Sequence, residues 1–183
     1  YGSMEWWESG ASSAPDGWTL AGAGAAVARR GDGTATVLSG VAQGLHAARL
    51  TPAAALAPLT YDVPYALIQE LSSSSLRLRG FITNSVAADG IVRVTTTTSA
   101  GTAANTDRTS TYASSRTEKI KDINSADVAT PALMTNLSVQ LRAIANASPV
   151  DFDDIQLLSP RRIYEYNLPA TMTGMKTGID YES

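Results

Sequence analysis

From Leu76 to Ile82 the chain alternates strictly, with Leu76, Leu78, Gly80 and Ile82 on one side and Arg77, Arg79 and Phe81 on the other. Successive side chains of a strand point to opposite faces, so this segment reads as a strand half-buried on a core. The theme recurs. "LMTNLSVQLRAIA" sets Leu137, Val139 and Leu141 against Ser138, Gln140 and Arg142, "GIVRVTTTTSA" follows the turn "ADG", and "DRTSTYASSRTEKI" is β-prone with a polar face. "GWTLAGAGAAVARR" precedes the turn "GDGT", "TATVLSG" and "LHAARLT" continue before "PAAALAP", and "VDFDDIQLL" closes the set. Helical periodicity is scarce, and the one candidate, "SADVATPALMTN", is kept short by Pro131. About eight short strands, separated by turn signals roughly every 8–12 residues, predict an all-β antiparallel β-sandwich of jelly-roll type.

After Leu158 the pattern changes. "SPRR" breaks the strand series at Pro160, and "IYEYNLP" then alternates Ile163, Glu165 and Asn167 against Tyr164, Tyr166 and Leu168. The expected organisation is a jelly-roll domain over 1–158 and an extended C-terminal arm, or the start of a following unit, over 159–183. An exposed edge with an aromatic face is a liability, so Tyr164, Tyr166 and Leu168 are expected to form an arm interface with another subunit or the next domain.

Composition narrows the picture. With 183 residues and 44% hydrophobic content the chain can build one substantial core plus an appendage. Charged residues make up 17% and the net charge is −3, scattered rather than blocked, so no basic stripe exists for phosphates and nucleic acid is not an expected partner. The absence of cysteine excludes disulfides and thiolate metal sites, leaving packing or an oxygen-ligated ion. No run approaches the roughly 20 apolar residues of a membrane helix. The opening "YGSMEWWESG", with an early acid and no basic region, is unlike a signal peptide.

Chemistry is sparse. His46 is the only histidine, at an alternating strand position where a structural role is expected, and no Gly-x-Ser-x-Gly elbow is present. Neighbouring carboxylates on opposite faces of a strand cannot converge on one bond, and "AGAGAA" lacks the Lys–Ser/Thr of a phosphate cradle. The chain is therefore not expected to be an enzyme. Aromatic residues total 7%; Trp18 and one of Trp6 and Trp7 are expected in the core. Trp7, Phe81 and Tyr112, with Arg79 and Arg93 as hydrogen-bond donors, are the candidates for a sugar groove, although so few aromatics favour their covering the sandwich or contacting a neighbouring subunit.

One feature of the last strand asks for a partner. If the strand is regular, Asp153 shares a face with Ile155 and Leu157, which directs a carboxylate at the core. Such a group needs a cation, a metal or several donors. Backbone N–H groups or Arg49 are the ordinary solutions, whereas Asp151 and Asp154 are expected to face solvent.

The motifs also carry a resemblance. "GSMEWWESGASSAPDGWTLAGAGAAVAR", "GLHAARL", "LRLRGFI" and "FDDIQLL" resemble, in consistent order over about residues 2 to 158, the galactose-binding-like, carbohydrate-binding-module type of jelly roll. Met4 stands where the family has Phe. The resemblance extends through Gly2 and Ser3, so these are expected to be native, with the true N-terminus further upstream. It implies a structural calcium bridging first and last strands, with Glu5 and Asp153 as ligands and backbone carbonyls near Gly33 and Gly40 completing the shell. "SAPDGWTLAGAGAAVAR" and the trailing "YEYNLPATMTGMKTGIDYE" look most like bacteriophage capsid-decoration, tail or fibre proteins. That implies a non-enzymatic virion structural protein, at the virion surface or extracellular, contacting neighbouring virion subunits and forming a homo-oligomer. The alternative it implies is a module that attaches a larger protein to a cell-surface glycan.

Overall fold

In the computed structural model the alternating segments become two layers of antiparallel strands, described over residues 4–31, 46–53, 56–72, 76–84, 86, 88–109, 116–120 and 130–158. The elements are β1 (Thr19–Leu20), β2 (Ala26–Arg30), β3 (Ala47–Thr51), β4 (Leu59–Asp62), the helix α1 (Tyr65–Leu71), β5 (Arg77–Asn84), β6 (Gly90–Thr98), β7 (Ala103–Thr109), β8 (Arg116–Ile120), β9 (Met134–Ala143) and β10 (Val150–Leu158). One five-stranded sheet, the front sheet, runs β1-β4-β9-β6-β7; the back sheet, also five-stranded, runs β2-β3-β10-β5-β8. The chain crosses repeatedly between the sheets, and the all-β sandwich expected from the alternation is the fold observed.

The core lies between the sheets and, outside β10, is built from the residues that the alternation assigns to it. Val92, Val94, Leu137, Val139 and Leu141 of the front sheet face Leu50, Leu78, Ile82, Val150 and Phe152 of the back sheet, all buried. Each such side chain contributes about 1.5–3 kcal/mol on leaving water. Trp7, Trp18 and Met4 join the same cluster, and Trp18 packs obliquely on Tyr61 with ring centroids 5.5 Å apart.

Three local departures from the alternation matter. The segment read as one strand over 17–30 is split between sheets: β1 pairs with β4, β2 pairs with β3, and Gly22 and Gly24 turn the chain between them at positive φ. A Cβ on Gly22 would stand 2.9 Å from that of Ala57, so a larger residue would push the crossing off the β3–β4 connection. A helix forms where none was expected. Of the candidate over 125–136, residues 125–129 lie outside the described residues and Met134–Asn136 already belong to β9. The helix observed is α1, which starts after Pro64 and buries Ile68, with Leu67 and Leu71 half-buried at helical spacing beside it.

The third departure is in β10. A bulge interrupts its register with β5 between Asp153 and Gln156, and Asp154 sits at φ 48°. Phe152 and Ile155 are both in the core, so the bulge adds a residue between them and puts Asp153 on the face opposite Ile155. Asp153 therefore lies on the outer side of the back sheet with Asp151, not beside Ile155 on the core side. Gly80 permits this, because a Cβ there would come within 2.6 Å of the Ile155 Cδ1 that covers it.

Candidate functional site

The outer face of the front sheet can be read off its register. Val92, Val94, Val139 and Leu141 of β6 and β9 are buried on the inner side. On the outer side, one cross-strand row runs Thr19, Thr60, Gln140, Arg93, Asp107 over β1, β4, β9, β6 and β7. The next row towards the end of β9 is Arg142, Ile91, Thr109, and the row on the other side is Asp62, Ser138, Thr95, Asn105. Strands about 4.8 Å apart make the central row roughly 19 Å long. It is a polar platform on a packed sheet, and no described strand residue in these three rows is aromatic.

The platform is partly braced. Arg93 donates from Nε and Nη2 to the two carboxylate oxygens of Asp107, each at 2.7 Å, and the Thr95 hydroxyl meets Asn105 Oδ1 at 2.7 Å. The fork raises the Arg93 guanidinium above its usual range and lowers the Asp107 carboxyl below its own, in both cases chiefly through the hydrogen bonds and against some desolvation. Arg142 behaves differently. Its Nε–H is buried with no acceptor, and desolvation first, then the nearby charge of Arg93, lowers the guanidinium's pKa, only partly offset by Asp107.

The outer face of the back sheet is organised around charge. Arg49 on β3 and Asp151 on β10 are register partners, and Arg49 donates from Nε and Nη2 to Asp151 at 2.7 Å each. Asp151 is 2% exposed, so the expectation that it faces solvent is corrected, and Arg49 is engaged by Asp151. Phe81 is half-buried next to it in the register, opposite Asp153. Asp153 is itself buried and partnered.

The expected calcium ligands lie on adjoining elements. Glu5 accepts the backbone N–H of His46 at 3.1 Å and faces His46 Nδ1 at the same distance, at the start of β3. Phe152 pairs with Ala48, so the ladder carries Asp153 towards Ala47 and His46, where Glu5 is anchored. Two hard carboxylates at one junction fit calcium by donor chemistry. Among the described residues, however, no group of three or more His, Asp and Glu side chains gathers to hold a metal, so backbone carbonyls would have to supply most of the shell. Gly33 and Gly40 lie outside the described residues.

The remaining candidates disperse. Trp7 is in the core at 7% exposure, its indole N–H bonded to the Met4 carbonyl, and Trp6 is the exposed partner at 71%; Trp7 is thus corrected from groove to core. Phe81 and Arg93 lie on the outer faces of opposite sheets, so they cannot line one groove. Arg79 is in β5 beside Phe81, its side chain outside what is described, and Tyr112, Tyr164, Tyr166 and Leu168 lie outside the described residues. Sequence reasoning passed over Thr60, Asp107, Gln140 and Arg142. The signal was in hand for the last two, which stand on the polar side of β9.

No family model matches the chain, and no curated protein matches it in sequence. Solved structures do match in fold. The CBM22-1 xylan-binding domain from Paenibacillus barcinonensis Xyn10C superposes with a TM-score of 0.56 at 14% identity, over 81% of this chain and 91% of that one. TmCBM61, solved with β-1,4-galactotriose, gives 0.51 at 14% identity over 79% and 89%. The enzymatically active domain of bacteriophage CBA120 tailspike protein 4 gives 0.57 at 11% identity, over 79% of this chain and 19% of that one. The chain thus has the jelly-roll fold of carbohydrate-binding modules, a fold also found within a phage tailspike, and it spans about a fifth of that tailspike chain.

Proposed function

We propose that this chain is a non-catalytic glycan-binding jelly roll, acting as a module of a larger surface or virion assembly and holding a polysaccharide on the outer face of its front sheet. The observation that carries the reading is the uninterrupted polar row Thr19, Thr60, Gln140, Arg93, Asp107. A rigid sheet presents these donors and acceptors at fixed spacing, so hydroxyls along a chain of sugars are met without ordering a loop. That the structurally similar domains bind xylan in one case and hold galactotriose in the other supports the class of ligand, not its identity. Affinity electrophoresis against a panel of polysaccharides tests it: at least one should retard the protein, and Gln140→Ala should weaken that retardation about tenfold or more. If nothing in the panel is bound, or Gln140→Ala binds as well as the parent, the front face is not the site.

A second reading, virion structural protein, is favoured by large apolar side chains left in solvent: Trp6, Tyr65 and Leu133 are all exposed. In this reading they and the arm residues Tyr164, Tyr166 and Leu168 contact neighbouring subunits. Deleting residues 159–183 should leave a folded monomer and abolish assembly, measured by light scattering; unchanged assembly, or failure to fold, removes the arm from that role. Calcium on Glu5 and Asp153, with no catalytic duty, belongs to either reading.

A further inference from the structure

We propose that the glycan is acidic, and that Arg142 binds a sugar carboxylate such as that of a uronate. This rests on the front-face reading above. Arg93 and Asp107 neutralise each other through their fork, so in the two rows they share with Arg142 the residual charge is that of Arg142. Arg142 stands diagonally beside Arg93, flanked across β6 by Ile91 and Thr109, neither of which offers an anion.

The hydrogen-bond inventory points the same way. The Nε–H of Arg142 is buried without an acceptor, a state that costs free energy in the unliganded protein. A carboxylate is the sugar substituent that takes Nε–H and Nη–H together as a planar fork. Because Nε holds no bond, the side chain gives none up at that atom in turning to meet it. The lowered pKa of Arg142, from desolvation and Arg93, is what an arriving anion would reverse. The chain as a whole carries a net charge of −3, so a polyanion is not drawn in by long-range attraction and must be recognised locally.

The test uses the whole chain with polygalacturonate, alginate and hyaluronate, each beside its carboxyl-reduced counterpart, by affinity electrophoresis and calorimetry. The expected result is binding of at least one acidic polymer, lost about tenfold or more on carboxyl reduction and again in Arg142→Gln. Arg142→Lys keeps the charge but not the fork, and should also lose most of the affinity. Thermal melts accompany each variant, and Arg142→Gln should melt close to the parent because it removes an unsatisfied donor. Equal binding of the reduced polymer, or Arg142→Gln binding like the parent, overturns the inference. If the reduced polymers bind and Gln140→Ala abolishes this while Arg142→Gln does not, the front-face reading stands and the acidic ligand falls. If no polymer binds, acidic or reduced, both fall.

Discussion

Removing the Arg49 partner of Asp151 is the sharpest perturbation this sandwich allows. Asp151 is 2% exposed and takes two charge-assisted bonds of 2.7 Å from Arg49, whose side chain is 29% exposed. Arg49→Met keeps the aliphatic stem and strands the carboxylate. A buried pair broken on one side costs about 3–5 kcal/mol; since water reaches the site along the partly exposed Arg49, about 2–4 kcal/mol is the better expectation. Asp151→Ala leaves a cation that can turn to solvent, so it should cost less, about 1–3 kcal/mol. Replacing both, Arg49→Met with Asp151→Leu, should recover most of the loss, because the attraction within the pair is largely offset by its desolvation. Urea denaturation at constant m-value measures all of these, and a cycle closed with the single Asp151→Leu should give a coupling of at least about 2 kcal/mol. Arg49→Met costing less than about 0.5 kcal/mol, or single costs that simply add, would refute the argument.

Other outcomes follow from the same geometry. Asp153→Ala should lose about 2–4 kcal/mol by urea denaturation because a buried, partnered carboxylate is removed, whereas Asp154→Ala should lose much less and Asp154→Gly should be tolerated, given φ 48° at that bulge residue. Excess chelator should lower the melting temperature without changing any glycan preference if Glu5 and Asp153 hold calcium; an unchanged melt with no metal by elemental analysis sinks that proposal. The Asp107 carboxyl is depressed by Arg93, so its contribution is present above the ordinary carboxylate value of about 3.9 and is lost as pH falls from there through its lower folded value. The pair is exposed, so melts between about pH 5 and pH 2 should differ between parent and Asp107→Asn by no more than about 1 kcal/mol.

Wherever a strand is regular, its period-two pattern carries enough information to assign faces. β9 shows this: Leu137, Val139 and Leu141 are buried and Gln140 and Arg142 lie on the outer face, as their alternation demands. β5 does the same with Leu78, Gly80 and Ile82. The helix α1 escaped because seven residues are barely two turns, too short for periodicity to stand out from a strand-rich background, and its start signal, Pro64, also reads as a loop. The polar face of the front sheet was legible only in halves, since register between strands distant in sequence decides that Thr60, Gln140, Arg93 and Asp107 form one row.

The bulge in β10 shows how one residue redirects a functional argument. With a regular strand, Asp153 points inward and demands a buried counter-ion in the core. With the extra residue at Asp154, Ile155 keeps its place over Gly80 and Asp153 turns outward, to the side where β3 begins and Glu5 is tied to His46. The carboxylate is still 2% exposed and partnered, but it demands no counter-ion among the aliphatic side chains between the sheets.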